Sequence, residues 1–349
     1  MPDILRMLSQ AEQLDFSQNF LMPRANYLGD AIFPDQKTQN ITAKYLAMSD
    51  SAYLPTMATV HALDAEAQIG SRPTASIVTV EKLLIKRKIN LSERVRLLRN
   101  HGVSTNNEIL DYIFDDMARL AEGVKTRTEV AKQELLATGK MTINENHVNT
   151  TIDFGVPTDH TNKTFDWSTE AKAKTILDDI QGVRDAAIAT GRVLREIVTS
   201  SAVLSLLAKS AVIQNALFGS AFAGRLATQD EITSLFSRLF GIERITVNDQ
   251  VYNYEKADGT LTTQRYFPKN KIAFLATMAN GSFGAGLWGV TPEEEAQGAF
   301  TAASQNQYIT MTQWQTPDPV AIWTKASGMF IPVLPDPNGL YIATVTLPS

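Results

Sequence analysis

NNEILDYIFDDMARLAEGVKTRTEVAKQELLAT, residues 106–138, is the stretch whose reading decides the fold. Leu110, Ile113, Phe114, Met117, Leu120 and Val124 recur at steps of three and four, and Ala131 and Leu135 carry the stripe onward. That spacing puts the apolar side chains on one face of a helix. Asn106 and Asn107 are cap formers, Glu108 adds negative charge to the first turn, and Gly139 stops the run. At the usual rise the predicted helix is about 50 Å long, against an average of about 12 residues. A helix of that length acts as a spine for other elements.

The charge around this helix is divided. Its first half is acidic, with Glu108, Asp111, Asp115, Asp116 and Glu122 against Arg119. The stretch before it is basic: Lys82, Lys86, Arg87, Lys88, Arg94, Arg96 and Arg99 face only Glu81 and Glu93. Two readings stay open. The faces are solvated and compensate locally, or they are complementary surfaces that meet between subunits. Further upstream, residues 57–60 and 77–80 are β-rich runs on either side of a polar stretch, 64–73, with Gly70 and Pro73. Residues 54–90 therefore read as a long hairpin with a projecting loop. Residues 1–48 are broken by Met22-Pro23 and Phe33-Pro34, so they read as an arm and not as a packed unit.

Downstream, residues 140–154 read as a second hairpin turning at Asn144-Glu145-Asn146. A polar linker with Pro157 follows, and a domain boundary is expected near 160–168. Residues 169–241 read as three amphipathic helices. Ile176, Ile180, Val183 and Ala187 mark the first, the apolar run 200–218 a buried second, and Ile232, Leu235, Phe236, Leu239 and Phe240 the third. From Ile242 the chain is β-rich. Residues 308–314 and 320–327 read as a pair around Pro317-Asp318-Pro319, and residues 330–347 as a strand pair turning at Pro337-Asn338-Gly339. The class is α+β.

Composition narrows the function. The 349 residues contain no cysteine, which excludes thiol nucleophiles, zinc–thiolate sites and iron–sulfur clusters. With 32 basic against 37 acidic residues, the chain is no general polyanion binder. The start Met1-Pro2-Asp3-Ile4 lacks the pattern of a signal peptide, and no run of 18 apolar residues occurs, so a soluble cytosolic chain is expected. Gly284-Ala285-Gly286-Leu287-Trp288-Gly289 fits GxGxxG, but a dinucleotide loop needs a strand before it and a helix after it, and Pro292 follows within three residues. It reads as a glycine-rich turn between strands. His61, His101, His147 and His160 share no helical spacing. Trp167, Trp288, Trp314 and Trp323 read as core, because a base-stacking platform needs basic residues interleaved, which the sequence does not show there. No catalytic, cofactor or metal residue emerges. An arm and a projecting loop on such a chain point to self-assembly.

Four stretches carry a resemblance: EKLLIKRKINLSER at 81–94; ELLATGKMTI at 134–143, followed by IDFG at 152–155; DWS at 166–168; and GMFIPVLPDPN at 328–338. In order and spacing they resemble the major capsid proteins of tailed bacteriophages, and most closely the lambda-like major capsid protein E family, over about residues 30–349. The resemblance implies the Hong Kong 97-type capsid fold. Its parts would be an N-terminal arm (1–50) and an extended β-hairpin loop (51–95). A peripheral domain (96–165 and 305–328) would hold the spine helix 106–138, and an axial domain (166–304 and 329–349) a central sheet with flanking helices. Copies would join as hexamers and pentamers into an icosahedral shell around double-stranded DNA, with scaffold, portal and decoration proteins as partners, no membrane and no cofactor. The shell would be assembled in the host cytoplasm. The loop would pivot near 52–55 and 89–92. Lys86, Arg87 and Lys88 are expected to face Asp111, Asp115 and Asp116 of an adjacent subunit. Three other readings compete: a bacterial nanocompartment shell of the same fold enclosing protein cargo, a nucleotide-dependent enzyme using Gly284 to Gly289, and a DNA-binding module using Lys82 to Arg99.

Overall fold

A computed structural model of the chain describes residues 27–48, 57–58, 75–91, 106–145, 148–219, 224–256, 258–277, 283–296, 302–306, 308–318 and 320–348. In chain order these form α1 (Leu28–Ile32), β1 (Asp35–Lys37), β2 (Thr42–Met48), β3 (Ala75–Glu81), β4 (Leu83–Leu91), α2 (Asn106–Thr138), β5 (Lys140–Glu145), β6 (Val148–Asp153), α3 (Thr158–Thr161) and β7 (Lys163–Asp166). Then come α4 (Ile176–Ala189), β8 (Val193–Thr199), α5 (Ser201–Lys209), α6 (Ala211–Phe218), α7 (Gln229–Phe240), β9 (Arg244–Val247), β10 (Val251–Glu255), β11 (Leu261–Arg265) and β12 (Lys271–Thr277). The last are β13 (Ala285–Trp288), α8 (Pro292–Glu295), β14 (Ala302–Asn306), β15 (Ile309–Pro317), β16 (Val320–Val333) and β17 (Leu340–Thr346). The chain divides into two compact units. One comprises residues 1–43, 79–132 and 285–332, the other 44–78, 133–284 and 333–349.

In the first unit a sheet in the order β1-β13-β16-β15-β14 lies with most of α2. β16 is the long central strand: Val320 to Ser327 pair with β15, and Ile322 to Phe330 pair with β4 on its other side. The helix covers the range expected, and Met117, Leu120, Val124 and Ala131 of its stripe are buried. Helix and sheet meet closely where Gly328 sits, because a β-carbon there would lie 2.9 Å from both Val124 and Trp288.

The segment 27–37 is packed, contrary to the reading of 1–48 as a loose arm. Phe33 is fully buried, and β1 pairs in parallel with β13, Asp35 opposite Gly286. The prolines stopped long periodic elements without preventing short ones. The rest of the expected hairpin is re-registered too. β3 pairs with β2, and β4 belongs to the β16 sheet; residues 59–60 of the expected partner run lie outside the described residues. The switch occurs at Lys82, between the two strands.

In the second unit a mixed sheet runs β7-β17-β12-β8-β9. β12 is antiparallel to both β17 and β8, whereas β7 and β9 join the edges in parallel. α4 packs its predicted stripe, Ile176, Ile180, Val183 and Ala187, into the core with Phe236, Phe274 and Tyr341. Two expectations are corrected here. Residues 169–241 are not three helices: β8 intervenes, and the apolar run 200–218 breaks into α5 and α6, bent by 62° at Ser210. β16 and β17 do not pair, because β17 goes to β12 and β7. β7 joins residues 163–166 to this sheet. The second hairpin forms as β5–β6, with residues 146–147 outside the described residues. α7 starts with a capping box between Thr228 and Glu231 and ends on Gly241 at φ 78°.

Candidate assembly surfaces

Lys86, Arg87 and Lys88 all lie on β4, opposite Ser327, Ala326 and Lys325 of β16. Alternation along a strand sends Lys86 and Lys88 to one face and Arg87 to the other. On the Arg87 face, the side-chain stem crosses α2 at Gly123, with its Cδ 3.3 Å from where a β-carbon would stand. On the other face, Lys86 Nζ lies 3.1 Å from Glu293 Oε1, an oxygen also bound by Lys325 Nζ at 2.7 Å. Burial alone would push the Glu293 carboxyl up; the bonds from Lys325 and Lys86 outweigh it and hold it below the usual range. Lys88 Nζ stands 4.6 Å over the Trp323 ring, Trp323 stacks on Trp314 at 6.2 Å, and Lys325 stands 5.6 Å over Trp314. The reading of all four tryptophans as core holds for Trp167 and Trp288 only. Trp314 and Trp323 are half-buried; Lys325 lies on β16 two positions from Trp323, and Lys88 arrives from β4, over 200 positions away.

Asp111, Asp115 and Asp116 lie on α2. The side chains of Asp111 and Asp115 are outside the described residues; Asp116 is half-buried and, like Arg87, has a partner within the chain.

Sequence reasoning missed a charged cluster in the first unit. Lys132 Nζ is fully buried and reaches Asp30 Oδ1 at 2.5 Å and Asp35 Oδ1 at 2.7 Å. Lys125 Nζ pairs with Asp35 and, at 3.1 Å, with Asp30. Glu129 Oε1 accepts from the Gly29 amide at 2.9 Å. Burial pushes the Asp35 carboxyl up, but Lys132 and Lys125 together outweigh it and leave it below the ordinary value. The signal was present: Lys125, Glu129 and Lys132 sit at helical spacing beside the buried stripe. Lys82 is also buried; its ammonium donates to Thr38 Oγ1 and the Asn40 carbonyl, and burial pushes its pKa down.

Gly284 to Gly289 form no phosphate loop. Residues 285–288 are β13, an extended strand, and the helix after it has only four residues. The turn expected there is corrected as well. The glycines permit close packing: a β-carbon at Gly286 would lie 2.6 Å from Asp35 Oδ1 and 2.9 Å from Phe330. His160 stacks on Tyr341 at 4.0 Å; His61, His101 and His147 are outside the described residues. Among the described residues no group of acidic or histidine side chains could hold a metal ion. Nor is any single helix there long and apolar enough to cross a membrane.

Solved structures share this architecture. A chain described as the capsid protein of a prophage of E. coli CFT073 superposes with a TM-score of 0.61 at 16% identity, covering 97% of this chain and 99% of that one. A phage-related protein from Bordetella bronchiseptica RB50 gives 0.58 at 11%, covering 95% and 94%. The mature capsid of bacteriophage PhiM1 gives 0.50 at 9%, covering 94% and 89%. The fold is thus the Hong Kong 97-type capsid fold. No curated protein matches the sequence significantly. The profile of the family described as phage major capsid protein E matches residues 11–345. With nearly the whole chain inside that profile and the capsid fold present, the protein belongs to the phage major capsid protein E family and is a structural protein of the virion capsid.

Proposed function

We propose that copies of this chain join as hexamers and pentamers into an icosahedral shell enclosing the double-stranded DNA of a tailed phage. The observation that carries this reading is the family match over residues 11–345, on a chain with the capsid fold. Residues 1–50 serve as the arm, with 27–37 docked, and 51–95 as the extended loop. Residues 96–165 with 305–328 form the peripheral domain, and 166–304 with 329–349 the axial domain. Scaffold, portal and decoration proteins assist assembly in the host cytoplasm, the DNA is held by weak non-specific contact, and the chain has no catalytic activity. The nanocompartment and enzyme readings have no observation in their favour.

At the joint between copies, Lys86, Arg87 and Lys88 face Asp111, Asp115 and Asp116 of a neighbour. Opposite charge steers subunits into register and is screened by salt. Electron microscopy with light scattering on the full chain, alone and with its scaffold, tests the reading. Shells or rings of five or six are expected, and an R87E/K88E variant should fold but not assemble. A chain that stays monomeric with its scaffold and binds a nucleotide saturably would sink the reading; normal shells from R87E/K88E would sink the contact alone.

A further inference from the structure

Residues 27–37 form a strap along the edge of the first unit's sheet, where β1 is the terminal strand on β13. The strap lies between α2 and β13, and its fit is cut from both sides. Glu129 of α2 reaches into the strap at Gly29, where a β-carbon would lie 2.6 Å from Oε2. Asp35 of the strap reaches onto β13 at Gly286, where a β-carbon would lie 2.6 Å from Oδ1. Each carboxylate fills the space that a side chain would have taken. The Gly286 amide donates to the Pro34 carbonyl at 2.9 Å, and the Thr38 amide to the Trp288 carbonyl at 2.8 Å. Tyr27, Ile32 and Phe33 are buried.

What the strap covers explains its use. The strand beneath it, Ala285-Gly286-Leu287-Trp288, carries no charge and no proline. An edge of that kind pairs readily with other strands unless it is guarded. β1 covers it with Asp35-Gln36-Lys37, which puts two charged residues on the outermost strand.

The strap is held largely by charge. Lys125 and Lys132 rise from α2, their ammonium groups 5.6 Å from the Trp288 ring centroid and 5.4 Å from that of Phe330. Both lysines are buried, and the carboxylates that pair with them, Asp30 and Asp35, both belong to the strap. The other titratable groups facing the strap are Glu129, on the Gly29 amide, and Glu294 of α8, 2.5 Å from Lys37. Lys82 donates to Thr38 just beyond its end, and β13 contributes none. A buried cation that loses its partner is strongly destabilising. We propose that residues 27–37 are a detachable guard over the β13 edge, latched by Asp30 and Asp35 on Lys125 and Lys132. Loss of those negative charges frees the strap while the sheet of the second unit stays closed. The proposal concerns the single chain and stands apart from the assembly reading. Undocking lets Asp35 bind a proton that the docked state excludes, so opening should rise about tenfold per pH unit once pH falls below about 4.

Hydrogen exchange read by mass spectrometry on the unassembled full-length chain tests this, with rates corrected for intrinsic exchange at each pH. At pH 7 the peptides spanning 27–37 and 285–288 should be protected. Between about pH 4 and pH 3 their protection should fall about tenfold, while β8 and β12 keep theirs. D35N should bring the same loss to pH 7. The quadruple variant D30N/D35N/K125M/K132M, with the charge removed from both sides, should keep the strap protected and lose the acid response. Three results overturn the latch: a strap that opens only together with β8 and β12, wild-type protection in D35N at pH 7, or an acid response that survives in the quadruple variant. If the quadruple variant does not fold, D35N alone decides: loss confined to 27–37 and 285–288 supports the latch, and wild-type protection overturns it.

Discussion

Gly286 has no room for a β-carbon, because Asp35, Phe330 and Lys132 already occupy the space. G286A should therefore cost about 1–3 kcal/mol through overpacking, read as a lower urea midpoint. Gly182, in the interior of α4, has nothing within 4 Å of the added atom. G182A should instead stabilise by about 0.5–1 kcal/mol, since alanine removes the entropic weakness of a helical glycine. The two variants change the same atom with opposite sign, so one pair of melts checks both. The buried cluster gives a third expectation. K132M strands Asp35 beside one remaining cation and should cost about 3 kcal/mol; D35N in the same chain should return part of that. Asp35 also sets an acid limb. Its folded pKa lies below the unfolded value, so its contribution is complete above about pH 4 and is lost as pH falls through the folded value. D35N should flatten stability against pH in that acid range. A slope unchanged by D35N would show that Lys132 and Lys125 do not hold the carboxylate.

At the scale of elements, the helices that were legible are those with period and punctuation together. α2 and α7 have an apolar stripe, a polar start and a glycine stop; α2 forms over the range read from sequence, and α7 carries the stripe read for it. The cap of α7 can be tested. Thr228 accepts from the Glu231 amide while Glu231 accepts from the Thr228 amide, so T228A should cost about 1 kcal/mol. A melt within error of wild type would show that Glu231 alone suffices. What failed was the reading of short apolar runs. Val193-Leu194-Arg195-Glu196-Ile197-Val198-Thr199 carries two charges and no clean alternation, because β8 is an inner strand with neighbours on both sides. Glu196 is admitted there since Arg244 and Thr246 bind its carboxylate at 2.6 and 2.5 Å. Such compensation belongs to another strand and is invisible in a local window.

For the molecule as a whole, the decisive quantity is how the same surfaces are reused between copies. The net charge of −5 makes each subunit a poor ligand for duplex DNA. The free subunit should shift duplex DNA only weakly in a gel and with a shallow salt slope. Tight, steeply salt-dependent binding would instead support a DNA-binding role for the basic stretch around β4. The chain crosses between its two units several times, so neither unit is one continuous stretch of sequence. Boundaries were sought where composition changes, yet units are delimited by which strands pair.

The sequence by itself determined the class, the long helix with its buried stripe, the α4 and α7 faces, and a family resemblance that the profile match bears out. These are local properties, set by spacing, caps and motifs within a few turns of chain. Only the tertiary structure decided the partner of β3, the docking of residues 27–37, the pairing of β17 with β12 instead of β16, and the seating of Lys88 on Trp323. Each of these joins residues far apart in sequence. A strand's pattern says which face is buried but not which strand lies alongside, and a charge's surroundings are fixed only once distant segments have been brought together.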